Sequence, residues 1–234
     1  MIGTFINVVA ILVGGGLGLL LGTKLSERLK ETVIAGLGLF TLVYGISLFL
    51  KTENSLIVLG SVLVGVIIGE WWHIEEGLQH LGIWLERRVN SQKSGEQNVN
   101  FIKGFVTASL VFCIGPMAIL GSIQDGLTGN FNTLVVKSIL DGFGAMAFAS
   151  SLGVGVLFSS VMILVYQGSI TLLAGQVQNV ISVTMMNELS ATGGVLLVAI
   201  AISSLLEIKK IRTGSFLPAL ILSPIIVWIL ALFK

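Results

Sequence analysis

The chain has 234 residues, of which 54% are hydrophobic and 11% are charged, and its formal net charge at pH 7 is +1. A soluble domain usually carries about 25% charged residues, so this chain has too few solvated side chains to cover a globular surface or to remain disordered. Its charge offers no basic field for nucleic acid, and its single cysteine, Cys113, excludes an intrachain disulfide. A polytopic membrane protein remains.

Apolar segments recur along the whole chain. A membrane-spanning helix needs about 20 predominantly apolar residues. Eight segments are candidates: 4–22, 33–50, 56–72, 104–122, 133–151, 154–174, 192–206 and 216–233. The fifth contains Lys137 and Asp141, so a re-entrant element is an alternative to a full span there, and Glu188 is expected at a span end. The sequence therefore predicts an all-α membrane helix bundle of about eight spans.

Lysine and arginine in the loops predict the orientation, because cytoplasmic loops carry an excess of both. Loops 23–32, 73–103 and 207–215 are basic, whereas 123–132 and 175–191 contain neither residue. The basic loops share one side if the fifth and sixth segments together return the chain to its starting side. Two full spans do this, and so does one span with a paired re-entrant element. We take two full spans, which places both termini outside.

Residues 74–90 have the pattern of an amphipathic helix. Apolar residues recur there at helical spacing, and charged residues fill the other face. We interpret the segment as an interfacial helix on the cytoplasmic side. Its aromatic anchors would be Trp71, Trp72 and Trp84.

The polar stretch 91–100 follows this helix and lacks periodicity, so it is interpreted as a flexible linker. It divides the single membrane domain into a first half of three spans, 1–73, and a second half of five spans, 101–234.

An internal repeat is a further hypothesis, since many transporters are built from inverted repeats. Shifting the chain by 101 residues aligns Gly3 with Gly104 and Gly14 with Gly115, and overlays spans one to three on spans four to six. A competing alignment sets 38–50 beside 194–206 and pairs span two with span seven.

Small residues form two stripes with the spacing of close helix packing. Gly14, Gly18 and Gly22 are four residues apart in span one, and Gly65 and Gly69 repeat the spacing in span three. In lipid such stripes let helix backbones approach closely. We assign these five glycines to helix packing.

The fourth span is predicted to be broken. Pro116 removes a backbone donor, and Gly115 before it loosens the turn. The polar residues Gln124 and Asp125 follow. Non-helical backbone at membrane depth survives only inside protein or along a wet cavity, so this segment is a candidate substrate or ion pathway. An ordinary kinked span followed by a polar external loop is the alternative interpretation.

Ionisable residues inside a span are functional candidates by default. Lys137 and Asp141 lie four residues apart, hence on one face of the fifth span. A structural ion pair is the alternative interpretation. Gln167 in span six and Asn7 in span one are also expected to face the interior, and both join the predicted pathway.

Several strings in this order resemble a known family: GTFINVVAILVGGGLG, GPMAILGSIQDGL, KSILDG, YQGSITLLAG, ELSATGG and LPAL. They resemble the YdfK/YqgA-like bacterial membrane proteins, the domain of unknown function 554 family, over residues 3 to about 230. The resemblance implies a multi-pass protein of the bacterial inner membrane, sometimes described as a transporter, with no established substrate. It assigns no role to individual residues.

Three functions compete. The first is a secondary transporter or channel for a small solute or ion, using the broken fourth span and the Lys137–Asp141 pair. The second is a non-transporting membrane partner or regulatory protein. An intramembrane enzyme using Asp125 and Asp141 is the least favoured, because GxGD, HExxH and GxSxG motifs are absent from the sequence, and we expect no enzyme. Expected partners are the lipid bilayer, the solute and a second copy of the chain, without nucleic acid, cofactor or metal.

Overall fold

A computed structural model describes residues 1–89 and 96–232. All regular structure in this part of the chain is helical. The α-helices are α1 (Ile2–Gly22), α2 (Glu27–Phe49), α3 (Ser55–Trp71), α4 (Ile74–Val89), α5 (Glu96–Cys113), α6 (Pro116–Thr128), α7 (Asn132–Leu152), α8 (Gly155–Leu172), α9 (Ala174–Val180), α10 (Val183–Ile200) and α11 (Leu217–Leu232). A π-helical turn, Ala201–Leu205, continues α10, and a 3-10 turn, Thr213–Phe216, precedes α11.

The helices are long and apolar enough for a polytopic membrane protein. Six of them, in the described residues, could each cross a bilayer. Two bent pairs raise the number to eight if each pair forms one span: Ser55–Trp71 with Ile74–His80, bent by 58°, and Asn100–Cys113 with Met117–Thr128, bent by 62°. The predicted all-α membrane bundle is therefore confirmed at six to eight spans. The outside position of the termini and the inverted repeat stay predictions.

The bend in the fourth span lies at Gly115 and Pro116. Helix α5 ends at Cys113, and α6 begins with Pro116 in its first turn, where a missing backbone N–H is tolerated. Gly115 has a φ of 146°, a conformation that residues with a Cβ rarely adopt. The Gly-Pro pair thus ends one helix and starts the next.

The seventh span begins earlier than the sequence predicts. Helix α10 starts at Val183, not at Thr192, and Ser182 caps it by accepting a hydrogen bond from the Met185 N–H. The predicted start of this span at Thr192 is therefore wrong, and Glu188 lies in the second turn of the helix. The helix can begin before Glu188 because the loop between α2 and α3 satisfies this carboxylate.

The chain forms two compact units. Unit 1 consists of Met1–Leu37 and Leu81–Asn179, and unit 2 of Gly38–His80 and Val180–Lys234. Each unit therefore combines segments from both predicted halves, 1–73 and 101–234. Of the predicted linker, residues 91–95 lie outside the described residues, and residues 96–100 form the first turns of α5.

Backbone contact between α1 and α7 organises unit 1. A Cβ on Gly14, Gly18 or Gly22 would lie 2.0, 2.2 or 2.5 Å from the carbonyl oxygens of Gly142, Met146 and Ser150, respectively. All three pairs are separated by the same 128 positions, so both helices advance together along the contact and run parallel. Larger side chains on this stripe would force the helices apart.

Glycine contacts also join the helices of unit 2. On α3, a Cβ on Gly65 would lie 2.6 Å from the Ala219 backbone nitrogen, and one on Gly69 would lie 2.0 Å from the Ser215 carbonyl oxygen. These contacts set α3 antiparallel to α11. Helices α2 and α10 cross where Gly45 and Gly194 each face the other's carbonyl oxygen.

Candidate functional site

Four of the predicted pathway residues form one buried polar network in unit 1. Lys137 and Asp141 lie one turn apart on α7 and are 6% and 8% exposed. Lys137 Nζ donates to Asp141 Oδ2, which makes the two side chains an ion pair. The pair lies inside the helix bundle of this unit.

Asn7 links the ion pair to a third helix. Its Nδ2 donates both to Asp141 Oδ2, at 2.9 Å, and to Gln167 Oε1 on α8, at 3.0 Å. Asn7 and Gln167 are both completely buried. We call Asn7, Lys137, Asp141 and Gln167 the polar network; its side chains come from α1, α7 and α8.

The glycine stripe explains why Asn7 reaches these partners. Asn7 lies on the buried face of α1 that also carries Ile11, Gly14 and Gly18, and this face packs on α7. Close backbone approach at the glycines brings a short side chain such as asparagine within hydrogen-bond distance of Asp141. One turn before Asn7, Thr4 Oγ1 lies 3.4 Å from Thr171 Oγ1 of α8.

Two atoms of the polar network have no hydrogen-bond partner among the described residues. They are Asn7 Oδ1 and Gln167 Nε2, and both are inaccessible to solvent. Burying an unsatisfied polar group costs about 1–3 kcal/mol, and native proteins leave few such groups without a water, an ion or a ligand. The polar network is thus open at one acceptor and one donor.

The end of α5 before the helix break packs on α7, about one turn beyond Asp141. The ring of Phe112 packs on Gly144 of α7, and a Cβ added to Gly144 would lie 3.1 Å from the ring. The irregular backbone at Ile114 and Gly115 begins directly after this end of α5.

The other two predicted pathway residues lie outside the polar network. Asp125 is buried, and its Oδ2 accepts from the Met1 amine at 2.9 Å and from the Gly3 N–H at 3.1 Å. No hydrogen bond in the described structure joins it to Asp141. Gln124 is exposed, and its Oε1 accepts from Thr133 Oγ1 at 2.8 Å.

Comparison with known proteins identifies the family. The family model described as "Protein of unknown function (DUF554)" matches residues 2–228. The chain belongs to this family. The resemblance predicted from its sequence strings is thereby confirmed.

Two relatives in the family match nearly the whole chain. "Uncharacterized protein YqgA" of Escherichia coli (strain K12) is 34% identical over 223 residues, covering 95% of this chain and 94% of the relative. "Uncharacterized membrane protein YdfK" of Bacillus subtilis (strain 168) is 27% identical over 237 residues, covering 100% and 98%. No solved structure matches. This family member is a multi-pass helical membrane protein, and its relatives assign it no chemistry.

Sequence reasoning missed a second buried carboxylate, in unit 2. Glu188 is completely buried, with Oε2 accepting from Thr52 Oγ1 at 2.7 Å. Its Oε1 accepts from the backbone N–H groups of Glu53 and Asn54, at 2.7 and 2.9 Å. The signal that could have found it was the short polar loop 51–54, which offers the Thr52 hydroxyl and backbone N–H groups as donors to a carboxylate.

Glu53 makes the reciprocal contacts. Its Oε1 accepts from Asn187 Nδ2 at 2.7 Å, and its Oε2 accepts from Thr184 Oγ1 at 3.1 Å. The loop before α3 and the first turns of α10 are therefore joined by two glutamates. We call Glu188 with Thr52, Glu53 and Asn54 the Glu188 clamp.

Proposed function

We propose that this protein is a secondary transporter or channel for a small solute or ion in the bacterial cytoplasmic membrane, with the polar network as its site. The observation that carries the proposal is a buried Lys–Asp pair in a network that leaves two polar atoms without a partner among the described residues.

Energetics support a functional rather than a structural role for the pair. One charged side chain at the centre of a membrane helix costs about 2.5–3.5 kcal/mol on insertion scales. Replacing a buried ion pair by apolar residues is often neutral or stabilising, so stability alone gives little reason to keep Lys137 and Asp141.

Lys137 and Asp141 have different roles in this proposal because their side chains differ in chemistry. The Asp141 carboxylate can take up and release a proton or a cation as the solute moves. Lys137 supplies a positive charge, so the site stays neutral while Asp141 is ionised. The break at Gly115 and Pro116 leaves backbone groups outside regular helix bonding, where they can line a path.

Flux through proteoliposomes tests the proposal. Purified protein would be reconstituted with a pH-sensitive dye inside, and candidate solutes would be applied with and without a proton gradient. Asp141→Asn should abolish coupling to protons. The double variant Lys137→Met/Asp141→Asn removes both charges, so it should fold, insert and still fail to transport.

Ser223→Ala is the matched control. Ser223 is a fully buried residue of unit 2 whose hydroxyl is also unpartnered, so its loss tests a buried polar deletion outside the polar network. It should transport as the wild type does. Wild-type flux in the double variant would overturn the assignment of the pair, and the absence of flux for any solute in wild-type protein would favour a non-transporting partner instead.

A further inference from the structure

The two amides of the polar network form an incomplete pair. Two carboxamides can bond to each other twice, each donating one N–H to the other's oxygen. Here Asn7 Nδ2 donates to Gln167 Oε1 at 3.0 Å, but the return bond from Gln167 Nε2 to Asn7 Oδ1 is not made. The two atoms left unpaired, one acceptor and one donor, belong to completely buried residues, and we call them the open side of the amide pair.

Asp141 fixes which atoms are left open. An ionised carboxylate only accepts hydrogen bonds, so Asn7 must turn its NH₂ group toward Asp141. The other Nδ2 hydrogen goes to Gln167, which must therefore present Oε1. Asn7 Oδ1 and Gln167 Nε2 are then the free atoms, and flipping either amide would set donor against donor or oxygen against oxygen.

We propose that this open side binds a small neutral solute carrying both a hydrogen-bond donor and an acceptor, of the carboxamide class. The guest would accept from Gln167 Nε2 and donate to Asn7 Oδ1, completing the pair. The inference rests on the proposed function, since it names the solute class for the same site.

Charge balance favours a neutral guest over an ion. Lys137 and Asp141 cancel, and Asp125 is matched by the Met1 amine, so these paired charges of unit 1 sum to zero. An ion would add an uncompensated charge to a desolvated site. A carboxylate could accept from Gln167 but not donate to Asn7, whereas an ammonium could donate but not accept, so each would leave one atom unsatisfied.

Three probes of similar size separate these cases: acetamide, sodium acetate and methylammonium chloride. The thermal unfolding midpoint of purified protein in lipid nanodiscs would be measured with each, at matched ionic strength. A ligand that binds the folded state raises the midpoint, by about 3 °C at ten times its dissociation constant for a chain of this size. Acetamide should give this rise, and the two salts should not.

Gln167→Met tests the site, because methionine keeps the length of the side chain but offers no N–H. The acetamide shift should disappear in this variant and persist in Ser223→Ala. Since Gln167→Met also removes an acceptor for Asn7, saturation-transfer NMR on wild-type protein provides a second measurement. It should show transfer to the acetamide methyl protons that excess formamide displaces.

Each outcome decides one claim. The inference would be overturned by equal acetamide shifts in wild type and Gln167→Met, or by a larger shift with either salt. It would also be overturned if acetamide gave neither a shift nor saturation transfer, which would mean that resident water satisfies both atoms. Acetamide binding in protein that transports nothing would support the inference and overturn only the proposed function. Flux of an ion without acetamide binding would do the reverse.

Discussion

The polar network of unit 1 and the Glu188 clamp of unit 2 both bury a carboxylate inside helices, yet they satisfy it differently. Glu188 receives hydrogen bonds from one hydroxyl and two backbone N–H groups of a single loop. Asp141 receives bonds from Lys137 and Asn7, side chains on two helices. In the part of the chain that the structure describes, the carboxylate oxygens of the clamp all have donors, whereas the polar network ends in two unpartnered atoms.

This difference shows that burial alone does not mark a functional charge. Backbone donors in a short loop cannot leave their acceptor without unfolding the loop, so Glu188 suits a fixed joint. Side-chain donors on separate helices can exchange partners when a solute or proton arrives. The chemistry of the donors, not the depth of the carboxylate, separates the two sites.

Removing one charge of the ion pair should have the largest effect. Asp141→Asn leaves Lys137 uncompensated and should destabilise the protein by about 3–5 kcal/mol. The double variant Lys137→Met/Asp141→Asn should recover most of that loss. Reversible unfolding in mixed micelles measures both, and equal stability of the single and double variants would show that Lys137 does not depend on Asp141 for its charge balance.

Tight packing of α1 on α7 predicts the next effect. Gly18→Ala places a methyl group 2.2 Å from the Met146 carbonyl oxygen, and we expect a loss of about 1–3 kcal/mol from overpacking. Gly16→Ala on the same helix is the matched control, because its Cβ would meet no atom within 4 Å. If the two variants unfold at the same midpoint, the glycine stripe does not hold these helices together.

The Glu188 clamp should respond to the loss of acceptors but not to changes in solute. Glu188→Gln replaces one carboxylate oxygen by an NH₂ group, which cannot accept, and should cost about 1–3 kcal/mol. Glu53→Gln keeps an acceptor for Asn187 at an exposed position and should cost less. Thermal unfolding measures stability, and the liposome assay measures flux. A changed solute preference in Glu188→Gln would contradict the expected difference between the two sites.

Gln124→Ala should have the smallest effect. This exposed side chain makes one hydrogen bond, to Thr133, so we expect a change within about 0.5 kcal/mol and unaltered flux. The same unfolding and flux measurements apply. Loss of flux here would extend the pathway beyond the polar network.

Local pattern was enough to predict some of these features. Hydropathy gave the helices, the i,i+4 spacing put Lys137 and Asp141 on one face, and Gly115 with Pro116 marked the break between α5 and α6. These features depend on residues that are close in the chain.

Features that depend on distant residues could not be read in this way. Asn7 meets Gln167 across 160 positions, and Glu188 meets the loop at Thr52 across 136. Nothing near Glu188 in the sequence indicates N–H donors from another segment, so the predicted start of its helix, Thr192, lies too late in the chain. Asp125 and Gln124, neighbours in sequence, face different surroundings because successive residues of a helix point in different directions.

The parallel contact of α1 with α7 has a mechanical consequence. At three successive turns a glycine of one helix lies against a carbonyl group of the other, so neither can slide without a clash. The two helices therefore move as one rigid unit, and Asn7, Lys137 and Asp141 keep their spacing. A displacement of the third contributor, α8, would carry Gln167 away from Asn7 without disturbing this spacing.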